Sequence, residues 1–165
     1  MSKVKETTYC VEYAKTSRGA CKVCGKPIKQ DTLRVGRQVP SRFHDGKDTS
    51  WNHLKCIQPQ LEAYNFTDIH GWEYLRWDDQ EALRDAALDN TETIDPEIVA
   101  LRKQRNERLW AAKDRLVAVN NKLLQEVLEA NGFTFDSKHR DTTKVLTMAA
   151  DALTWGRTGQ CPECK

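Results

Sequence analysis

Hydrophobic and polar positions follow two different patterns along the chain. Residues 9–57 are rich in turn formers and lysine, and they contain short apolar alternations such as Thr32-Leu33-Arg34-Val35. A period of two is typical of a strand with one buried face. This part therefore predicts brief strands and no long helix.

A helical pattern replaces the alternation from Asp78 onwards. Asp78 and Asp79 fall in a predicted first turn, where carboxylates are favourable, and apolar residues follow at helical spacing. This segment predicts a short helix whose apolar positions are Ala82, Leu83, Ala86 and Ala87.

Asp95-Pro96-Glu97 predicts the start of a longer helix, because it combines a capping carboxylate with proline at the first helical position. An apolar stripe follows at spacings of three and four, with Arg105 as an exception, until Asn131-Gly132 supplies a left-handed stop. Asn120-Asn121 is a candidate break that would split the stripe into two helices. The stripe comprises Ile98, Leu101, Leu109, Ala112, Leu116, Val119, Leu123 and Val127.

A third helical segment is predicted near the end of the chain. Asp141 is its candidate cap and Gly156 its end, and its apolar positions include Val145, Ala149 and Leu153. The patterns together predict an α+β protein. A small finger with short antiparallel strands and a helix occupies residues 9–89, a linker residues 90–94, and an α-helical region residues 95–165.

Length and composition narrow the classes of protein. The 165 residues suffice for one ordinary domain or two small ones, but not for a binding module with a large catalytic domain. No apolar run of 18 residues is present, and the N-terminus lacks the apolar core of a signal peptide. A soluble, intracellular protein that does not bind membranes is expected.

Charge is distributed unevenly along the chain. Residues 1–60 hold 12 Lys and Arg against 5 Asp and Glu, whereas residues 61–165 hold 14 against 19. The front part, with its excess of +7, is therefore the one expected to meet a polyanion. Its clustered cations are Lys15, Arg18, Lys22, Lys29, Arg34, Arg37, Arg42 and Lys47.

The cysteine spacing predicts a zinc site. Cys21-x2-Cys24 and His53-x2-Cys56 offer three thiolates and one imidazole, the number and softness of ligands that a closed tetrahedral zinc site needs. Four protein ligands leave no open position for a catalytic water, so we expect the metal to be structural. The alternative is a set of buried free thiols, and Cys10 has no partner in this pattern.

These motifs resemble the poly(ADP-ribose) polymerase-type zinc finger. The resemblance lies in VEYAK, SRGACKVCGKPI, DTLRVG, FHDGK, WNHLKC and LRWDDQ, which occur in order over about eighty residues with the ligand spacing intact. It implies a Zn²⁺-dependent finger that recognises DNA nicks, gaps and ends with little regard to sequence. The matching metal ligands are Cys21, Cys24, His53 and Cys56.

The resemblance also suggests which residues contact DNA. Arg18 and Arg34 match arginines that lie on the DNA backbone at the break. The nearby residues Lys22, Arg42, His44 and Lys47 are further candidates for DNA contact. Where the family has an aromatic and an apolar residue that stack on exposed bases, this chain has His44 and Asp48. Phe43 is expected to take over the stacking, the alternative being a place in the core. The carboxylate of Asp48 is expected to weaken or redirect end recognition.

The end of the chain resembles, more weakly, the helical zinc-associated (PADR1) region of the same polymerases. The similar segments are ERLWAAKDRL and TWGRTGQCPEC. Cys161 and Cys164 form a second, incomplete knuckle, interpreted as a remnant or truncated site or as one shared between two chains. Arg76 and Trp77 match a face through which the family signals DNA occupancy; here they either contact a partner or pack.

The predicted function is non-catalytic binding of nicked or broken duplex DNA in the nucleus, in repair or damage signalling. No nucleophile elbow, phosphate-binding glycine loop or metalloprotease motif occurs. Two alternatives stay open at this point. The chain is either the front part of a DNA-dependent poly(ADP-ribose) polymerase, or an adaptor with a structural finger that binds a protein partner through its helical region.

Overall fold

The computed structural model describes residues 7–88, 95–134 and 142–156. Contacts between backbone positions separate the chain into two compact units, residues 1–94 and residues 95–165. The first is called the finger unit and the second the helical unit. Asp141 and the interval 90–94, for which a cap and a linker were predicted, lie outside the described residues.

A three-stranded antiparallel sheet forms the front of the finger unit. Its strands are β1 (Thr8–Tyr13), β2 (Leu33–Pro40) and β3 (Lys47–His53), in that spatial order. The register places Glu12 opposite Arg34 and Gly36 opposite Trp51. This confirms the short strands expected from the alternating pattern, and β2 contains the Leu33-Arg34-Val35 segment that suggested them.

The two faces of the sheet have different neighbours. Tyr9, Val11 and Val35 point to the buried face, where they pack with residues from the following helices and turns. The helices are α1 (Leu54–Leu61) and α2 (Trp77–Ala86), separated by two short 3-10 turns at Phe66–Asp68 and Trp72–Tyr74. This single apolar layer holds the sheet against the helices, so the opposite face is left for polar side chains.

The start of α2 is tied to β1 by a hydrogen-bond network. The hydroxyl of Tyr13 donates to Asp79 and accepts from the backbone N–H of Arg76. Burial and this bond to Asp79 both raise the pKa of Tyr13, so the hydroxyl stays protonated as a donor. Asp79 therefore stabilises both the helix start and the contact between helix and sheet.

The helical unit contains α3 (Pro96–Leu116), α4 (Asn121–Ala130) and α5 (Thr142–Trp155). The side chain of Asp95 accepts from the N–H of Glu97, and that of Asn120 accepts from the N–H of Lys122. These are the predicted cap and the predicted break. Gly132 and Gly156, both with positive φ, follow the ends of α4 and α5 as expected.

The apolar stripe predicted from the sequence is wrong in α4, and only part of it is buried in α3. The buried residues of α4 are Leu124 and Leu128, whereas Leu123 and Val127 are exposed. The turn at residues 117–120 restarts the helix with a different rotation, so the spacing of α3 cannot be extended through it. Ile98 and Leu101, in the first two turns of α3, are also exposed.

No helix within the described residues is long and apolar enough to cross a membrane.

Candidate metal centre and nucleic-acid interface

Four potential metal ligands converge at one end of the sheet. Cys21 and Cys24 lie on the segment after β1, His53 is the last residue of β3, and Cys56 lies in the first turn of α1. Their ligand atoms all lie within 4.8 Å of one another. In a tetrahedral zinc site with Zn–S bonds of 2.3 Å, sulfur atoms are about 3.8 Å apart, so the cluster has the size that one zinc ion requires.

Backbone geometry explains why the two cysteines can share an ion. The N–H of Gly25 donates to the carbonyl of Cys21, and the N–H of Cys21 donates to the carbonyl of Lys26, which closes a tight knuckle. Gly25 has φ 71, a left-handed value that glycine adopts without strain. The knuckle holds both thiols on one side, towards His53.

The imidazole of His53 is oriented by contacts at both nitrogens. Its Nδ1 lies 3.5 Å from the sulfur of Cys24 and 3.8 Å from that of Cys56, while Nε2 lies 3.3 Å from the carbonyl of Pro27. A proton on Nε2 would be donated to that carbonyl, leaving the Nδ1 lone pair for a metal. This is the usual support for a ligating histidine.

The thiols differ in their acidity. Burial alone would raise the pKa of Cys21, but N–H groups of Cys24, His53 and Val23 lower it to about 6. Burial and the neighbouring thiols of Cys24 and Cys21 raise the pKa of Cys56 to about 11. Several thiolates cannot share so small a volume without a cation, and zinc supplies the two positive charges that stabilise them.

Arg34 lies on the polar face of the sheet and already has two partners. Its guanidinium forms an ion pair with Glu12 and lies 4.0 Å from the ring centre of Trp51. Only 14% of its side chain is exposed. Gly36 makes this packing possible, because a Cβ there would lie 2.7–2.9 Å from side-chain atoms of Cys10, Thr49 and Trp51. Sequence reasoning missed the roles of Glu12 and Trp51, which depend on the strand register.

The loop between β2 and β3, residues 41–46, carries an exposed aromatic ring and is called the tip. Phe43 is 93% exposed, so the alternative that placed it in the core is wrong. The tip is closed by a bond from the N–H of Ser41 to the carbonyl of Gly46, and the N–H of Phe43 donates to the hydroxyl of Ser41. The ring is therefore presented to solvent by a hydrogen-bonded turn.

His44 and Asp48 pair with each other beside this ring. The Nε2 of His44 lies 3.2 Å from a carboxylate oxygen of Asp48, and both side chains are more than half exposed. Lys47, between them, donates to the hydroxyl of Thr8 across the sheet. The tip and the start of β3 consequently combine one apolar ring with a polar pair at the two positions that depart from the family pattern.

The remaining candidate cations Arg18, Lys22 and Arg42 are exposed. Gly19, next to Arg18, approaches Arg34: its Cβ position would lie 3.9 Å from a terminal nitrogen of that guanidinium. The structure thus brings the segment that contains Arg18 alongside Arg34, while Arg42 belongs to the tip.

The two residues predicted as a contact face have different environments. Trp77 is buried, although its indole N–H has no hydrogen-bond partner among the described residues, and Arg76 is exposed. Packing is therefore the observed role of the tryptophan. Cys161 and Cys164 lie outside the described residues, and their second knuckle stays a prediction.

The two halves of the finger unit carry opposite net charges. Residues 1–60 have the excess of +7 noted above, whereas residues 61–94 hold 2 Lys and Arg against 9 Asp and Glu. The helical unit, with 12 against 10, is slightly positive. The acidic character of the later sequence thus belongs to the α2 half of the finger unit and not to the helical unit.

Comparison with known proteins shows what the finger unit is similar to. Residues 12–87 match the model of the family described as the poly(ADP-ribose) polymerase and DNA-ligase zinc-finger region. Poly [ADP-ribose] polymerase 1 of Gallus gallus is 40% identical over 86 residues, 52% of this chain and 8% of that protein. The Caenorhabditis elegans protein of the same name is 42% identical over 80 residues, 46% of this chain and 8% of the relative.

The chain therefore spans less than a tenth of the length of these curated relatives. The matched region contains all four metal ligands. The weaker resemblance over residues 107–116 and 154–164 is not tested by the family match and stays a prediction.

Replacing Cys56 by alanine is expected to abolish stoichiometric zinc binding and to unfold the finger unit, because a structural zinc site contributes on the order of 10 kcal/mol. Zinc content per chain and thermal unfolding followed by circular dichroism measure both effects. Cys10→Ala is the matched control: this thiol packs near Gly36, away from the cluster, so the variant should retain one zinc ion. Full zinc occupancy in the Cys56 variant would contradict the four-ligand site.

Proposed function

From the premise that residues 12–87 are a zinc finger of the poly(ADP-ribose) polymerase and DNA-ligase type, we propose that this chain binds strand breaks in duplex DNA. The targets are nicks, gaps and ends, recognised with little sequence preference. The role is non-catalytic and nuclear, in DNA repair or damage signalling. The single observation that carries the proposal is the exposed ring of Phe43 on the hydrogen-bonded tip of the sheet.

The chain between the two ligand pairs supports recognition of DNA shape over sequence. Residues 25–52 form two strands and the tip, with no helix among them. Zinc fingers that read base sequence insert a helix from this interval into the major groove. A sheet edge with a projecting ring has no comparable set of donors and acceptors for base edges, whereas it can stack on a base pair exposed by a break.

In this proposal one residue stacks on the exposed bases, and other residues contact the phosphates. The ring of Phe43 covers the exposed base pair, a type of contact that contributes about 1–3 kcal/mol per base in single-strand complexes. Arg18, Lys22, Arg34, Arg42 and Lys47 contact phosphates, which fix orientation but carry no sequence information.

The negative charge of residues 61–94 favours one orientation of the finger unit on DNA. Phosphates repel the carboxylates of α2 and its preceding turns and attract the cations around the sheet and the tip. The finger would therefore approach DNA with the sheet and tip first. Because this selection acts before close contact, it favours productive encounters.

Phe43→Ala is expected to reduce the preference for nicked over intact duplex by about 1–3 kcal/mol, with little change in zinc content or stability because the ring is solvent-exposed. Fluorescence anisotropy with a nicked and an intact closed duplex of the same sequence measures this preference. Tyr74→Ala, which removes an exposed aromatic ring from the acidic half, is the control and should retain it. An unchanged preference in the Phe43 variant would exclude the ring from break recognition.

Arg34→Ala is expected to weaken DNA binding and to reduce the slope of log affinity against log salt by about 0.9, the change for one phosphate contact. The variant also leaves Glu12 without its partner. The double variant Glu12→Gln/Arg34→Ala separates the two causes, since it removes that uncompensated carboxylate. If Arg34 contacts a phosphate, the reduced slope persists in the double variant; recovery of the wild-type slope would instead assign the loss to Glu12.

Asp48→Asn is expected to tighten binding to nicked DNA by up to about fivefold, the effect of roughly 1 kcal/mol at an exposed site, because it removes a carboxylate beside the stacking ring. Asp31→Asn changes the net charge equally. Asp31 precedes β2 while the tip follows it, and asparagine tolerates its positive φ. Equal effects of the two substitutions would attribute the gain to net charge and not to the tip.

A further inference from the structure

We propose that α3 of the helical unit carries a second DNA-binding surface, formed by Arg102, Arg105, Arg108 and Arg115 and called the arginine stripe. This surface would bind the phosphate groups of an intact DNA duplex. This inference rests on DNA being the partner of the chain, but not on the finger's preference for breaks.

Cations are concentrated on this helix. Of the eight Lys and Arg residues described in the helical unit, six lie on α3, and they include all four described arginines. The helix holds three acidic residues, Glu97, Glu107 and Asp114. The net charge of the chain hides this local excess.

Helical spacing places the four arginines within an arc of about 140° around the helix axis. Arg102, Arg105 and Arg108 follow one another at intervals of three residues, and Arg115 lies seven residues, or about two turns, beyond Arg108. Glu107 and Asp114 are also seven residues apart, but they lie about 100° around the helix from Arg108 and Arg115. Glu107 and Asp114 are thus set apart from these two arginines, whereas Glu97, in the first turn, lies about three turns before Arg108 on the same side of the helix.

The stripe is available to solvent. All four arginines are exposed. Arg105 lies 5.0 Å from the ring centre of Trp155, at the end of α5, and within the part of the chain that the structure describes no carboxylate forms an ion pair with any of the four. By contrast Lys113, on the same helix, is buried and lies over the ring of Trp110.

A duplex fits this surface in charge and in length. Residues 102–115 extend for about 20 Å along the helix axis, and B-DNA presents one phosphate charge per about 1.7 Å of its own axis. Guanidinium groups can bind phosphate oxygens through two parallel hydrogen bonds. Ile98 and Leu101 are exposed near the start of the helix, but phosphate contacts do not require them.

The test compares the wild-type chain with the triple variant Arg102→Ala/Arg108→Ala/Arg115→Ala. Arg105 is kept because of its contact with Trp155, and alanine preserves the helix. The matched control, Lys103→Ala/Lys122→Ala/Lys144→Ala, removes the same charge from exposed positions of this unit outside the stripe. Far-UV circular dichroism checks that both variants retain their helices.

The probes are two DNA dumbbells of identical sequence, one closed and one with a single nick, titrated from about 50 to about 200 mM salt. For the triple arginine variant, the slope of log affinity against log salt should be lower by about 2–3 on both dumbbells, at about 0.9 per phosphate contact. The ratio of nicked to closed affinity should stay the same. The lysine variant should change the slopes much less.

The outcomes distinguish this inference from the proposed break recognition. Equal binding of both dumbbells by the wild-type chain would defeat break recognition, yet a lower slope in the stripe variant would still support the stripe. If the salt slopes of the triple arginine variant are no lower than those of the lysine variant, the arginine stripe is overturned and the proposed break recognition is unaffected. Binding to phosphatidylserine vesicles is measured as a last comparison. If the triple arginine variant loses vesicle binding but binds both dumbbells as the wild-type chain does, the surface is assigned to lipid and the inference is overturned. No binding to either dumbbell overturns both proposals.

Discussion

The convergence of three thiols and one imidazole on a single point is the constraint on which the finger depends. Residues 14–32 contain no regular helix or strand, and their buried core consists of Ala14, Cys21 and Ile28. Ordering each residue of such a segment costs about 1–2 kcal/mol of backbone entropy. Three buried side chains, of which only Ile28 is large, cannot offset that cost, so metal ligation has to provide the remaining stability.

The metal site also fixes structure at a distance, through β3. This strand begins at Lys47, beside the tip, and ends at the ligand His53. Seven residues of strand span about 20 Å, and pairing with β2 keeps the strand straight. The orientation of Phe43 is therefore set by a ladder that is anchored at its far end by the metal and along its length by the sheet. A ring on an unanchored loop would lose more entropy on binding and so contribute less affinity.

The sequence predicted the features that depend on local spacing. The ligand pairs, the helix opening at Asp95, the break at Asn120 and the stop at Gly132 each need only a few adjacent residues. The ion pair of Glu12 with Arg34 joins residues separated by a long irregular segment, and nothing local sets which residue of β2 lies opposite Glu12. The rotation of α4 relative to α3 depends in the same way on the geometry of a turn, which is why Leu124 and Leu128 are buried in place of the predicted Leu123 and Val127.

The position of Arg34 bears on how the finger would bind DNA. Its guanidinium is held over the ring of Trp51 by Glu12 and by the absence of a side chain at Gly36. An exposed lysine must give up rotamer freedom to contact a phosphate, whereas an arginine fixed in this way has already lost that freedom during folding. Its paired carboxylate, however, reduces the net attraction for DNA. In the proposed complex Arg34 would therefore contribute mainly to alignment with the DNA backbone, while the exposed cations Arg18, Lys22 and Arg42 would contribute most of the long-range attraction.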